Sequence, residues 1–216
     1  MSHRIIETEK DLRAGTRALT AMCEHMRKAH EVAGEPPLRR RTSGFTGLAR
    51  AIVGQQLSVA SANAIWSRLE DLVVPFEANF FAAKSDEALR AAGLSGGKVR
   101  TLRGIADAIT AKELELDELR HVADEVIHTK LTALKGIGPW TADIYVMFCL
   151  GRADAWAPGD LALQYAVADL LALDARPDAS EMAEIAERWR PWRAVAARML
   201  WAYYRERKNL ASGVPV

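Results

Sequence analysis

Apolar residues recur at spacings of three and four along almost the whole of this 216-residue chain, and strand-like alternation is hard to find. Leu12, Leu19, Met22, Cys23 and Met26 mark one such face, and Ile65, Trp66, Leu69, Leu72 and Val73 another. A pleated strand changes face at every residue and cannot satisfy a period near 3.6, so the chain is predicted to be all-α. Ser58, Ser85, Ser95, Asp124 and Ser180 stand as N-caps, Pro139 and Pro191 as first-turn prolines, and Gly93 and Gly151 as stops. Helices are expected near 9–29, 44–56, 58–73, 85–92, 96–112, 123–133, 139–150, 161–173, 180–189 and 191–208. The segment Gly34–Gly44, with Pro36, Pro37 and Arg39 to Arg41, reads as a connection between domains, and Gly151–Gly159 as a second. Cutting there leaves a central helical domain, 41–152, and a discontinuous one, 1–40 plus 153–216.

Half the residues are hydrophobic, enough to bury a sizeable core. Lysine plus arginine number 29 against 28 acids, a net charge of +1, so any anion-binding surface has to be local. The run 188–208 is such a place, with seven basic residues and one acid, Glu206, although a run of this kind is also what the solvated face of an amphipathic helix looks like. Two cysteines, Cys23 and Cys149, are too few for a disulfide framework or an iron–sulfur cluster. His25 and His30 beside Cys23 do not share one helical face, so no metal is expected there. The first ten residues lack a signal-peptide core, and no uncharged stretch approaches a membrane span. A cytoplasmic monomer that engages no membrane is the expectation.

One segment carries more chemistry than a helix connection needs. Leu131-Thr-Ala-Leu-Lys-Gly-Ile-Gly-Pro-Trp-Thr-Ala142 joins two apolar-periodic helices through Gly136 and Gly138, with Ile137 between them. Two glycines let the backbone turn sharply and approach a ligand without a Cβ in the way, and the following helix offers unpaired N–H groups where phosphate can bind. Ile137 would fill the gap between the helices. An ordinary glycine-capped turn accounts equally well for the pattern taken alone.

The hairpin resembles that of the helix-hairpin-helix DNA glycosylases, and further segments match in the same order: Ala51-Ile-Val-Gly-Gln-Gln-Leu-Ser-Val-Ala60, Ala157-Pro-Gly-Asp160 and Ala186-Glu-Arg-Trp-Arg-Pro-Trp-Arg193. Within that superfamily the likeness is to DNA-3-methyladenine glycosylase II, in a compact form without the sheet domain of longer members. The resemblance implies two helical subdomains flanking a DNA-binding cleft, with the helix-hairpin-helix at about 124–150. It implies that amides near Gly136, Gly138 and Trp140, with Ile137 and Thr141 beside them, grip a DNA phosphate. It further implies a monovalent cation on the carbonyls of Thr132, Leu134 and Ile137, and no other cofactor.

Asp160 follows Pro158-Gly159 and precedes a helical run, so it reads as an N-cap; its place 20 residues beyond Trp140 matches the family's catalytic carboxylate, and both roles can hold. Cleaving an N-glycosidic bond builds positive charge on the sugar, which a carboxylate stabilises. Trp140 stands where strand-cutting relatives have a nucleophilic lysine, which implies base removal without strand cleavage. Trp201 and Trp140 match base-pocket aromatics, whose π faces attract cationic alkylated purines; Phe45 and Tyr145 complete the predicted pocket. The target nucleotide has to leave the stack, and Gln55, Gln56 and Leu57 match the segment that fills the gap, with either Gln56 or Leu57 as the wedge. The reading is therefore a monofunctional glycosylase acting on double-stranded DNA with damaged, 3-methyladenine-type bases. The alternatives are a non-catalytic DNA-binding module, for which Asp160, Trp140 and Trp201 would be superfluous, and a glycosylase/lyase, which Trp140 disfavours.

Overall fold

In a computed structural model, described here for residues 4–212, the helical period is realised in α1 (Glu9–Met22), α2 (Glu24–Ala33), α3 (Gly44–Gly54), α4 (Val59–Leu72), α5 (Ala78–Ala82), α6 (Asp86–Ala91), α7 (Gly96–Thr110), α8 (Asp124–Thr132), α9 (Pro139–Ile144), α10 (Leu161–Leu170), α11 (Ala179–Ala186) and α12 (Arg193–Ser212). A π-helical turn, Tyr145–Cys149, continues α9. The all-α expectation holds: among the described residues the only β-type pairing is an isolated bridge, Ile5 to Arg152. None of the described helices is long and apolar enough to cross a membrane.

Local chemistry explains most starts. Ser58, Ser85 and Ser95 accept from the amides of Ser61, Ala88 and Lys98, which satisfies donors that the helix itself cannot. Two caps differ from expectation. Asp124 lies inside α8 behind Ala123, and α11 is capped by Asp178, which forms a reciprocal box with Glu181 that Ser180 cannot form. The predicted helix 9–29 breaks at Cys23, whose extended backbone separates α1 from α2, and Pro191 precedes α12 rather than opening it.

The chain forms two compact units, 41–150 and 1–40 with 151–216. In the discontinuous unit, the Ile6 amide donates to Gly151 O (2.8 Å) and the Ala153 amide to Arg4 O (3.0 Å), tying the first residues to the segment after residue 150. Its core gathers Leu12, Leu19 and Met26 with Leu163, Val167, Trp189, Val195 and Leu200, all fully buried. A Cβ on Gly15 would lie 2.6 Å from Val195 and 2.7 Å from Trp192, so only glycine lets α1 sit this close to α12. Arg4 covers the Trp192 ring at 4.5 Å, and the neighbouring Arg193 pairs with Asp154 and Glu187.

The unit 41–150 is built around α3, whose Leu48, Ile52 and Val53 pack with Leu102, Ile105, Leu131 and Met147 in one buried core. At one end Phe45, Trp66, Phe76 and Phe81 form an aromatic cluster with ring centroids 4.6 to 6.3 Å apart. Cys23 and Cys149 form no disulfide.

Candidate DNA-binding and catalytic site

The turn 133–138 closes because the Leu134 amide bonds Leu131 O and the Ile137 amide bonds Leu134 O, each at 3.1 Å. Gly136 has φ +88°, and a Cβ there would stand 2.1 Å from Thr101 Oγ1, so two independent constraints demand glycine. Ile137 is buried between the helices, as expected of it, while Gly138 is exposed with open space where a Cβ would be. The amides of Gly136 and Gly138 donate to no described protein group and are offered outward. The carbonyls of Thr132 and Ile137 accept from no described donor, whereas Leu134 O already receives Ile137 N.

Gln55 is half-buried and turns inward: its Nε2 donates to Thr141 Oγ1 (2.8 Å) and Gly136 O (3.3 Å). Thr141 is correspondingly buried, so its hydroxyl is spent on Gln55 and is not presented at the surface. The exposed pair is Gln56, in the left-handed region at φ +57°, and Leu57. Trp140 is half-buried in the first turn of α9.

Two predicted pocket residues are buried within this unit. Tyr145 is wholly buried and its hydroxyl accepts from the Gly44 amide (3.0 Å); burial pushes its phenol above the usual range. Phe45 is buried against Phe76 and Phe81 and borders an open recess of about 720 Å³ with Thr46, Asn79, Leu114 and Asp117, a recess that Trp140 does not line.

In the other unit, the turn Ala157–Asp160 closes through the Asp160 amide on Ala157 O (3.1 Å). Gln164, buried one turn into α10, donates to Pro158 O (3.0 Å) and accepts from Arg176 (2.7 Å), which staples the turn in place. Asp160 caps α10, its Oδ1 accepting from the Leu163 amide (3.0 Å). The same oxygen accepts from Trp201 Nε1, on α12, also at 3.0 Å. The sequence placed Trp201 as a ring on which a base stacks; the structure adds that its N–H aims the carboxylate. Asp160 and Trp201 are each half-buried, and Leu161 beside them is exposed.

Residues 49–191, most of the chain, match the model of the HhH-GPD superfamily of base excision DNA repair proteins. The chain belongs to this superfamily. Among HhH-GPD relatives, DNA-3-methyladenine glycosylase 1 of Schizosaccharomyces pombe is 30% identical over 164 residues, covering 73% of this chain and 71% of that protein. The putative DNA-3-methyladenine glycosylase YfjP of Bacillus subtilis is 40% identical over 88 residues, 41% of this chain but only 31% of its own length. Among solved structures, S. pombe Mag1 in complex with abasic DNA superposes with a TM-score of 0.81 at 26% identity, covering 87% of this chain and 95% of that one. A Bacillus halodurans DNA-3-methyladenine glycosidase gives 0.73 at 31% identity over 94% and 93%.

Sequence reasoning missed Lys98 and Thr101 on α7: Lys98 bonds the carbonyls of Val53 and Gln55 at the end of α3, and Thr101 lies against Gly136 of the hairpin. A signal existed for one of them: a lysine in the first turn of a helix opposes the positive dipole end, and such a residue needs another reason to be there.

Proposed function

We propose that this chain is a DNA glycosylase that excises alkylated bases from double-stranded DNA by hydrolysis and leaves an abasic site for other repair enzymes. The carrying observation is the Asp160 carboxylate, held by two N–H donors at the mouth of α10 within the family's match. The C1′–N bond of the everted nucleotide breaks with its electron pair leaving on the base. Asp160 stabilises the positive charge that develops on the sugar, and water adds to C1′ as its proton passes to the carboxylate or to solvent. An N3- or N7-alkylated purine is cationic and departs neutral, which reduces the need for a general acid, and the indole faces of Trp140 and Trp201 favour such rings.

The amides of Gly136 and Gly138 grip a phosphate, and the exposed Gln56–Leu57 tip fills the vacated stack. The carbonyls of Thr132, Leu134 and Ile137 fit a monovalent cation, two of them having no described donor; the ion would add positive charge beside the phosphate. Trp140 supplies no amine, so the reaction stops at the abasic site. The test incubates the protein with methylated duplex DNA. Free 3-methyladenine with unbroken strands is the expected result, no released base leaves only a DNA-binding module, and nicking without alkali identifies a lyase.

A further inference from the structure

Lys98 has a geometry that capping alone leaves unexplained. Its ammonium donates to Val53 O and Gln55 O, both at 2.9 Å, the carbonyls at which α3 ends and the chain turns into the Gln56–Leu57 tip. No carboxylate is among its described partners, and burial draws the ammonium below the usual lysine range. The residue whose carbonyl it holds, Gln55, reaches the other way with its side chain to Gly136 O and Thr141 Oγ1. One turn along α7 from Lys98, Thr101 packs against Gly136 itself. The tip beyond this joint is strained and open: Gln56 sits at φ +57°, Leu57 is 40% exposed and Val59 is 76% exposed.

We propose that Lys98 is a positioning residue which, through the carbonyls of Val53 and Gln55 and the Gln55 side chain, braces the exposed tip against the phosphate-gripping hairpin so that both engage DNA as one body. The physical case is that a backbone in the left-handed region has no local preference for its conformation, so something outside it has to hold it. A point cation with three donors suits two convergent carbonyls at a helix C-terminus, where the dipole also favours positive charge. The inference rests on the DNA-repair reading above, since it takes DNA as the ligand of both hairpin and tip.

The test uses a duplex with a tetrahydrofuran abasic analogue facing 2-aminopurine, whose fluorescence rises when its neighbours are displaced. The wild type is expected to raise the signal as the tip enters the gap. In Lys98→Met the affinity for the duplex stays close to wild type while the rise at saturation falls about tenfold, the scale set by losing hydrogen bonds to a charged donor. Lys98→Arg, which keeps donors for the carbonyls, restores it. Melting temperature falls whether Lys98 merely caps α3 or also positions the tip, so the saturating fluorescence decides. If Lys98→Met does not fold, Lys98→Gln, whose shorter neutral side chain cannot span both carbonyls, takes its place with the same readout and the same expected loss. A full rise in the variant, a loss of rise and affinity in parallel, or no rise with wild type overturns the proposal. Base release from methylated DNA is scored separately: a protein that fills the gap yet frees no base keeps the brace and loses the glycosylase reading.

Discussion

The two units make their proposed working surfaces in opposite ways. In 1–40 with 151–216 the candidate site is a side chain: Asp160, fixed by the Leu163 amide, the Trp201 indole and a turn stapled by Gln164. In 41–150 it is backbone: the amides of Gly136 and Gly138, shaped by Thr101, Gln55 and buried Ile137. A charged side chain can be aimed by a few hydrogen bonds and lost by a single atom's change. Backbone amides carry no identity of their own, so their placement depends on packing around them, and only changes that deform the turn disturb them.

The sharpest way to break this contrast is Asp160→Asn. We expect base release under single turnover to fall by about 10³-fold or more, the scale of losing one electrostatic stabiliser of a transition state, while DNA affinity holds or rises. Retained activity in a gel or chromatographic release assay would remove the carboxylate from the chemistry.

Next in size is a stability effect in the hairpin unit. Burial raises the Asp143 carboxyl from 3.8 to about 7. Between those two values the native state binds a proton that the unfolded chain has released, so stability drops as pH rises through that window. Asp143→Asn should flatten the slope and add up to about 4 kcal/mol at pH 8, with no gain below pH about 4, in urea titrations across pH.

Gly136→Ala places a Cβ 2.1 Å from Thr101 Oγ1 on a residue at φ +88°. It should cost about 2 kcal/mol or more and weaken DNA binding while sparing the rate at saturation. Adding Thr101→Ala relieves the clash but not the backbone strain, so rescue should be partial; complete rescue would mean that the left-handed conformation is unimportant. The smallest expected effect is Trp201→Phe, which keeps a ring for stacking and removes the N–H on Asp160. A decrease of about tenfold in single-turnover rate follows from a lost hydrogen bond to a charged acceptor. An unchanged rate would reduce Trp201 to a stacking surface.

The path from residues to site was uneven for related reasons. Glycines at 136 and 138, Pro139 and the Gly159-Asp160 step announce turns and caps because those residue types have few other uses, and the structure bears out the turn and the cap. The resemblance puts Tyr145 in the base pocket, whereas its burial is set by a partner 101 residues away, the Gly44 amide. The resemblance likewise puts Gln55 and Thr141 at the DNA, whereas their side chains bond one another inside the unit.

From the chain of residues alone came the helical class, most of the helix starts, the glycine turn and the Asp160 cap, since each depends on neighbours within a turn or two of sequence; the roles proposed for turn and carboxylate came through the resemblance. Which groups meet was a tertiary decision: Trp201 reaches Asp160 across 41 residues, Gln55 reaches Thr141 across 86, and Lys98 reaches Val53 across 45. Hydrogen bonds of that reach are set by how helices pack, and packing optimises buried area and donor satisfaction for a whole unit at once, a sum that no local window contains.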